Sequence, residues 1–258
     1  MKIADAAEKM GVMAEDGIVG GKVLATSQEV GWAAWLLAGV GGWVDAVGFV
    51  MLGHLFTANM SGNSVQFAAY FGLGELGRGW PCLLAIPVFM VGIFLGTVMM
   101  APRPGSGRAW WQAKRPVRRV YEVEALLLAG LAAALWVKTG RGEMTNPGVA
   151  GTAEVLALLA MGLQNATVRR VGNINLNTTY ITNLLQACAQ QAARAWLAGR
   201  AGNAAAGAVS RKESWLAGRL WVTYAAGALI GAAGVIAGGP WTVLVPAAGL
   251  VAVAAGDR

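Results

Sequence analysis

Asp45 is a single acid inside an otherwise apolar run, Gly42-Trp43-Val44-Asp45-Ala46-Val47-Gly48-Phe49. Shortly after it the chain turns polar at Thr57-Ala58-Asn59-Met60-Ser61-Gly62-Asn63, before apolar residues resume past Gln66. An ionised carboxylate within a membrane-type helix is costly, so such acids face a polar cavity or a partner. Two readings of Asp45 stand side by side. One is a coupling-ion or proton site. The other is a structural acid that pairs with a basic group, for which Arg169 and Arg170 are candidates, or that caps backbone amides. Asn59, Ser61, Asn63 and Gln66 belong with it, and Gln164, Asn165, Thr178, Thr179, Thr182, Asn183 and Gln186 form a second set. Amides and hydroxyls both donate and accept hydrogen bonds, which suits a neutral or zwitterionic solute or the replacement of an ion's hydration shell. A half-helix starting at Ser61 or Thr179 would add the positive end of its dipole. The same groups can also serve only to bond helix to helix, at about 1 kcal/mol each.

Other chemistry is not signalled. There is no Cys/His cluster, HExxH, GxSxG, Walker-type loop or GxGxxG after a strand. His54 is the only histidine, too little for a metal site, and Ser61 has no base but His54 across a break. Cys82 and Cys188 form neither a CxxC pair nor a disulfide framework. The expectation is no enzyme, no cofactor and no metal.

The elements that must carry these residues are membrane helices. Of the 258 residues 56% are hydrophobic and only 13% charged, with a mean hydropathy of +0.53. Globular chains carry about a quarter charged residues. The 37 glycines suit close helix packing in lipid. The net charge of +7 does not point to nucleic acid, because the basic residues cluster in loops between apolar segments, as cytoplasmic loops do. Many of the eleven tryptophans fall near segment ends, where they anchor helices at the interface. Residues 1–30 mix acids and bases and lack a signal-peptide plan; they are expected to form a cytoplasmic leader to a single membrane domain, 31–258.

Apolar windows mark segments at about Gly31–Leu55, Ser61–Leu73, Trp80–Ala101, Tyr121–Val137, Thr152–Val168, Thr178–Leu197, Trp215–Ala237 and Trp241–Ala255. Glu122 and Glu124 lie at the end of the fourth, where they can stay wet. Between the third and fourth, Arg103, Arg108, Lys114, Arg115, Arg118 and Arg119 occur without an acid, and a small-residue loop with Arg200, Arg211 and Lys212 follows the sixth. The charge rule places both loops in the cytoplasm. Eight plain crossings would put them on opposite sides. The conflict disappears if the second and sixth segments dip in and return, which is tolerated where protein or a wet cavity lines the backbone. The expected fold is therefore all-α and polytopic: six spans plus two re-entrant half-helices, in two inverted halves at about 31–138 and 150–256, with both termini cytoplasmic. Seven or eight plain transmembrane helices are the alternative.

The halves align as Gly42-x-x-Asp45-Ala46 with Gly162-x-x-Asn165-Ala166, followed at similar spacing by Ser61-Gly62-Asn63 and Thr182-Asn183. These motifs, with Met161-Gly162-Leu163-Gln164-Asn165-Ala166 and Thr178-Thr179-Tyr180-Ile181-Thr182, resemble the paired signatures of the YoaK-like membrane proteins of the DUF1275 (UPF0700) family. The resemblance runs over roughly Trp32 to Val253. It departs where Ser61 stands for the usual Thr and Asn183 for the Gly expected after Thr182. It implies a multi-pass protein of the bacterial inner membrane and supplies no substrate. The expected function is a transporter or channel-like permease for a small polar solute or ion, with the bilayer as partner, a homodimer possible, and a non-transporting membrane scaffold as the alternative.

Overall fold

The computed structural model describes residues 32–101, 117–140, 147–167, 169–171, 174–176 and 181–256. Its helices are α1 (Trp32–Met51), α2 (Met60–Gly72), α3 (Leu76–Met99), α4 (Val117–Gly140), α5 (Pro147–Ala166), α6 (Ile181–Arg200), α7 (Ala204–Gly238) and α8 (Leu244–Gly256). A 3-10 turn, Gly239–Val243, joins α7 to α8, and a two-stranded antiparallel ribbon, β1 (Arg169–Val171) with β2 (Ile174–Leu176), precedes α6. The expectation of an all-helical chain is thus met apart from that ribbon. The leader, Arg103–Lys114 and the Thr178–Thr179 pair lie outside the described residues.

The surface and interior are distributed as lipid demands. Leu126, Leu229 and Ile236 expose 72%, 73% and 87% of their area, whereas Asp45, Thr57, Asn63, Glu124, Gln164 and Asn165 are buried. In water such an apolar exterior would be an aggregation hazard. Four stretches, Trp32–Met51, Leu76–Met99, Val117–Thr139 and Ala204–Gly256, are long and apolar enough to cross a membrane.

Glycine sets how the helices meet. A Cβ on Gly42 would strike the Tyr224 carbonyl and stand 2.9 Å from the Ala228 nitrogen, and one on Gly231 would stand 2.8 Å from the Trp43 carbonyl. Gly227 meets Gly39 in the same way. No side chain fits there, so α1 and α7 approach backbone to backbone. Contact positions rise together along both helices, from Gly39/Gly227 to Trp43/Gly231, so α1 and α7 run in the same direction. The second such crossing joins α3 to α5. Gly162 meets the Phe89 carbonyl, a Cβ on Gly92 would stand 2.8 Å from the Leu159 carbonyl, and one on Gly96 would stand 2.7 Å from the Ala166 Cβ and 3.3 Å from Leu163. These helices too are parallel.

The two crossings correspond residue by residue. Gly42, Gly39 and Trp43 on α1 play the parts of Gly162, Leu159 and Leu163 on α5; Tyr224, Gly227 and Gly231 on α7 match Phe89, Gly92 and Gly96 on α3. A third correspondence joins the remaining helices: Gly249 of α8 lies over Leu36 of α1, as Gly130 of α4 lies over Leu156 of α5.

Relative directions follow from the ends. Lys138 near the end of α4 donates to the Met51 carbonyl at the end of α1 (3.0 Å), so α4 runs with α1. Gln164 near the end of α5 donates to the Leu37 carbonyl near the start of α1 (2.8 Å), so α5 runs against it. Gly249 and Gly256 of α8 meet Leu36 and Trp32, in falling order, so α8 also opposes α1. Each helix of the first half is therefore antiparallel to its counterpart in the second: α1 to α5, α3 to α7 and α4 to α8.

Several boundaries move. Helix α7 begins at Ala204 rather than near Trp215 and runs for 35 residues. The expected small-residue loop shrinks to residues 201–203, with Asn203 capping α7 through its bond from the Ala206 amide (3.0 Å). Alanine is the best helix former, so Ala204-Ala205-Ala206 continues the helix where low hydropathy suggested a break. Glu124, expected to stay wet, is fully buried, because α4 begins a turn earlier at Val117 and carries it inward.

Candidate polar site at the α1–α2 junction

The chain between α1 and α2 turns back along α1. His54, in a left-handed conformation (φ 69°), reverses it, with its ring edge-on to Phe49. The Leu55 carbonyl and Thr57 then settle onto Gly48, where a Cβ would stand 2.8 Å and 2.6 Å from them. One turn deeper the chain reaches Asp45. The Asp45 Oδ1 accepts from the Thr57 amide (2.6 Å), the Thr57 hydroxyl (3.2 Å) and the Ala58 amide (2.8 Å). Its Oδ2 accepts from the Tyr224 hydroxyl of α7 (2.6 Å). Six residues separate Asp45 from the end of α1, so the loop descends by about 9 Å at 1.5 Å per residue before α2 begins. Helix α2 then climbs back against α3, with Phe67 and Tyr70 over Gly79 and the Cys82 thiol donating to Gln66 (3.4 Å).

The rest of the first polar set holds this descent in place. Asn59 caps α2, accepting from the Gly62 amide (3.2 Å) and the Ser61 hydroxyl (2.7 Å). Asn63 is buried and acts as a two-sided clip: its Oδ1 accepts from the Phe56 amide (3.0 Å) and its Nδ2 donates to the Phe56 carbonyl (2.7 Å). Buried backbone groups outside regular structure need such partners, and one asparagine supplies both. Ser61 stays exposed.

The described members of the second set do not join the first. Gln164 sits level with Leu37, eight residues below Asp45 on α1, which is about 12 Å along the axis. Asn165 is buried next to it, and Thr167 closes the end of α5 by donating to the Gln164 carbonyl (2.7 Å). Thr182, Asn183 and Gln186 are exposed on α6, and Thr178 and Thr179 lie outside the described residues. Tyr224 is a side-chain partner of Asp45; the side chains of Arg169 and Arg170, the arginines proposed for it, lie outside the description.

Two residues were not singled out from sequence. Tyr224 is separated from Asp45 by 179 positions; its only sequence signal was its place three residues before Gly227-xxx-Gly231, matching Phe89 before Gly92-xxx-Gly96. Glu124 is fully buried, and neither carboxyl oxygen has a hydrogen-bond partner. Among the described residues no group of acids, histidines and cysteines could hold a metal ion.

With this geometry in view, the family model described as "Protein of unknown function (DUF1275)" matches residues 33–256. The chain belongs to the DUF1275 family. It is 26% identical over 150 residues to the UPF0700 transmembrane protein YoaK of Bacillus subtilis (strain 168), a match covering 58% of this chain and 61% of that one. It is also 30% identical over 118 residues to the potassium-transporting ATPase potassium-binding subunit of Erwinia tasmaniensis, covering 45% of this chain and 20% of that protein. The matched stretches thus span less than two thirds of either relative. No solved structure matches the chain. Family membership and the apolar helices together make this a transmembrane protein.

Proposed function

We propose that this DUF1275 protein is a permease of the bacterial inner membrane for a small polar solute or ion. It crosses six times, through α1, α3, α4, α5, α7 and α8 with its 3-10 lead-in, while α2 and α6 re-enter from opposite faces. One observation carries the reading. The Asp45 carboxylate ties the descending loop of the first half to Tyr224 of the second. Halves of opposite orientation, with broken helices at depth, are a transporter plan in which one half rocks against the other. A carboxylate bonded across that boundary can exchange the tyrosine for a cation, a proton or a polar solute, so occupancy and the relation of the halves become linked. Similarity to a stretch of a potassium-binding subunit makes potassium the first ion to test.

A scaffold reading has its own support: four donors already satisfy Asp45, so the loop is held without any solute. Asp45→Asn separates the two. In proteoliposomes under an imposed gradient, the permease reading expects wild-type flux and at least a tenfold loss in variant protein that remains folded. Wild-type protein that moves neither potassium nor any of a broad solute panel, or a variant with full flux, contradicts it.

A further inference from the structure

The hairpin α6–α7 is a lengthened copy of the hairpin α2–α3. In the shorter hairpin Gly79 packs on Phe67, and in the longer one Ser214 donates to the Cys188 carbonyl (2.9 Å) at the matching place. Both hairpins close with three residues, 73–75 and 201–203. From those matched contacts, α2 continues five residues past Phe67, while α6 continues twelve past Cys188. The second hairpin is thus longer by two helical turns on each arm. The added length has a definite place. Gly227 of α7 lies beside Gly39 of α1; Arg211 is sixteen residues before Gly227, whereas Trp32, the first residue of α1, is only seven before Gly39. At 1.5 Å per residue Arg211 projects roughly 13 Å beyond the start of α1 and Trp215 roughly 7 Å. Helix α8 ends beside Trp32, with Gly256 against its ring. In the six-span arrangement proposed above, the extension stands where the hydrocarbon ends and the headgroups begin.

Its chemistry matches that depth. Arg194, Arg200, Arg211 and Lys212 are all exposed there, and Arg200 stacks on Trp196 at 4.8 Å. Between the arms lies an open cleft of about 320 Å³, lined by Ala192, Ala195, Trp196, Arg211, Ser214 and Trp215. Trp196 and Trp215 expose 60% and 72% of their area. The shorter hairpin has only Arg78 near its tip, paired with Glu75 at 2.7 Å, whereas none of the described carboxylates pairs with Arg211 within 4 Å.

We infer that this cleft binds the headgroup of an anionic phospholipid, with the phosphate on Arg211 and the glycerol region between Trp196 and Trp215. Basic clefts between helices on the cytoplasmic side recognise such headgroups, and tryptophan favours the same interfacial layer. The inference rests on the proposed topology, which puts this hairpin on the cytoplasmic side, and on the hairpin geometry, and it holds or fails independently of any transport activity.

The test is thermal unfolding of the full chain in neutral detergent, titrated with phosphatidylglycerol, phosphatidylcholine or inorganic phosphate. Phosphatidylglycerol is expected to raise the midpoint by several degrees at concentrations where phosphatidylcholine does nothing. Arg211→Glu should remove the shift, Arg211→Lys should keep most of it, and Lys212→Glu, outside the cleft, should leave at least half. Equal protection by both lipids, an undiminished shift in Arg211→Glu, or an equal loss in Lys212→Glu would overturn the site. Protection by millimolar phosphate alone would overturn the lipid assignment in favour of a soluble phosphorylated ligand. If Arg211→Glu does not fold, retention of phosphatidylglycerol by Trp215→Ala in native mass spectrometry decides; undiminished retention rejects the proposal.

Discussion

At the residue scale, Asp45 acts on two parts of the chain through two oxygens. Truncation to alanine leaves the Thr57 and Ala58 amides and the Tyr224 hydroxyl without their acceptor, and each buried group so orphaned costs about 1–3 kcal/mol. Asp45→Ala should therefore lower the unfolding midpoint strongly. Tyr224→Phe, which loses only the bond to Oδ2, should cost about 1.5–3 kcal/mol, the range for hydrogen bonds to charged groups. If both variants unfold like wild type in the same detergent, the bonds described at Asp45 are not formed. Glu124 should behave in the opposite sense. Both of its oxygens are buried without a partner, a burden that an apolar side chain of similar volume removes, so Glu124→Met should gain about 1–3 kcal/mol in the same unfolding assay. A loss of stability would contradict the unpartnered state of the carboxyl. Asp45 was legible in the sequence because one acid in an apolar run has few explanations. Tyr224 was not, since its hydroxyl acquires meaning only when α7 is laid on α1. Glu124 was misjudged because hydropathy set the helix start too late.

At the element scale, two glycine crossings carry the architecture, and they should respond alike to substitution. Gly42→Leu and Gly162→Leu each place a side chain where a carbonyl of the partner helix already stands. Separation of the helices forfeits the close packing that drives association in lipid. Each should cost several degrees in the unfolding midpoint, whereas Gly72→Leu, with open space around its Cβ position, should be nearly silent. A silent Gly162→Leu would contradict the α3–α5 crossing. The sequence shows Gly42 and Gly162 as matching motifs and Gly92-xxx-Gly96 as a packing pattern. Gly227-xxx-Gly231 was equally readable yet gained its role only through contact with Gly39 and Trp43. The hairpin α6–α7 was the least legible element, because the alanine-rich start of α7 has neither the hydropathy of a span nor the turn residues of a loop.

At the scale of the whole molecule, inversion of the halves is the central claim. Charge parity suggested it, and the antiparallel relation of α1 to α5, α3 to α7 and α4 to α8 agrees with it. Asp45 and Gln164 occupy different depths along α1, as an inverted pair placed either side of a midplane would. In the proposed topology the tips of the two hairpins face opposite sides of the membrane. The most direct measurement replaces Cys82 and Cys188 by alanine, introduces Leu73→Cys or Ala201→Cys, and labels intact cells with a membrane-impermeant thiol reagent. Both positions are exposed. Labelling at residue 73 from outside, and at 201 only after the membrane is opened, is the predicted result; labelling of both from the same side would contradict the inverted arrangement.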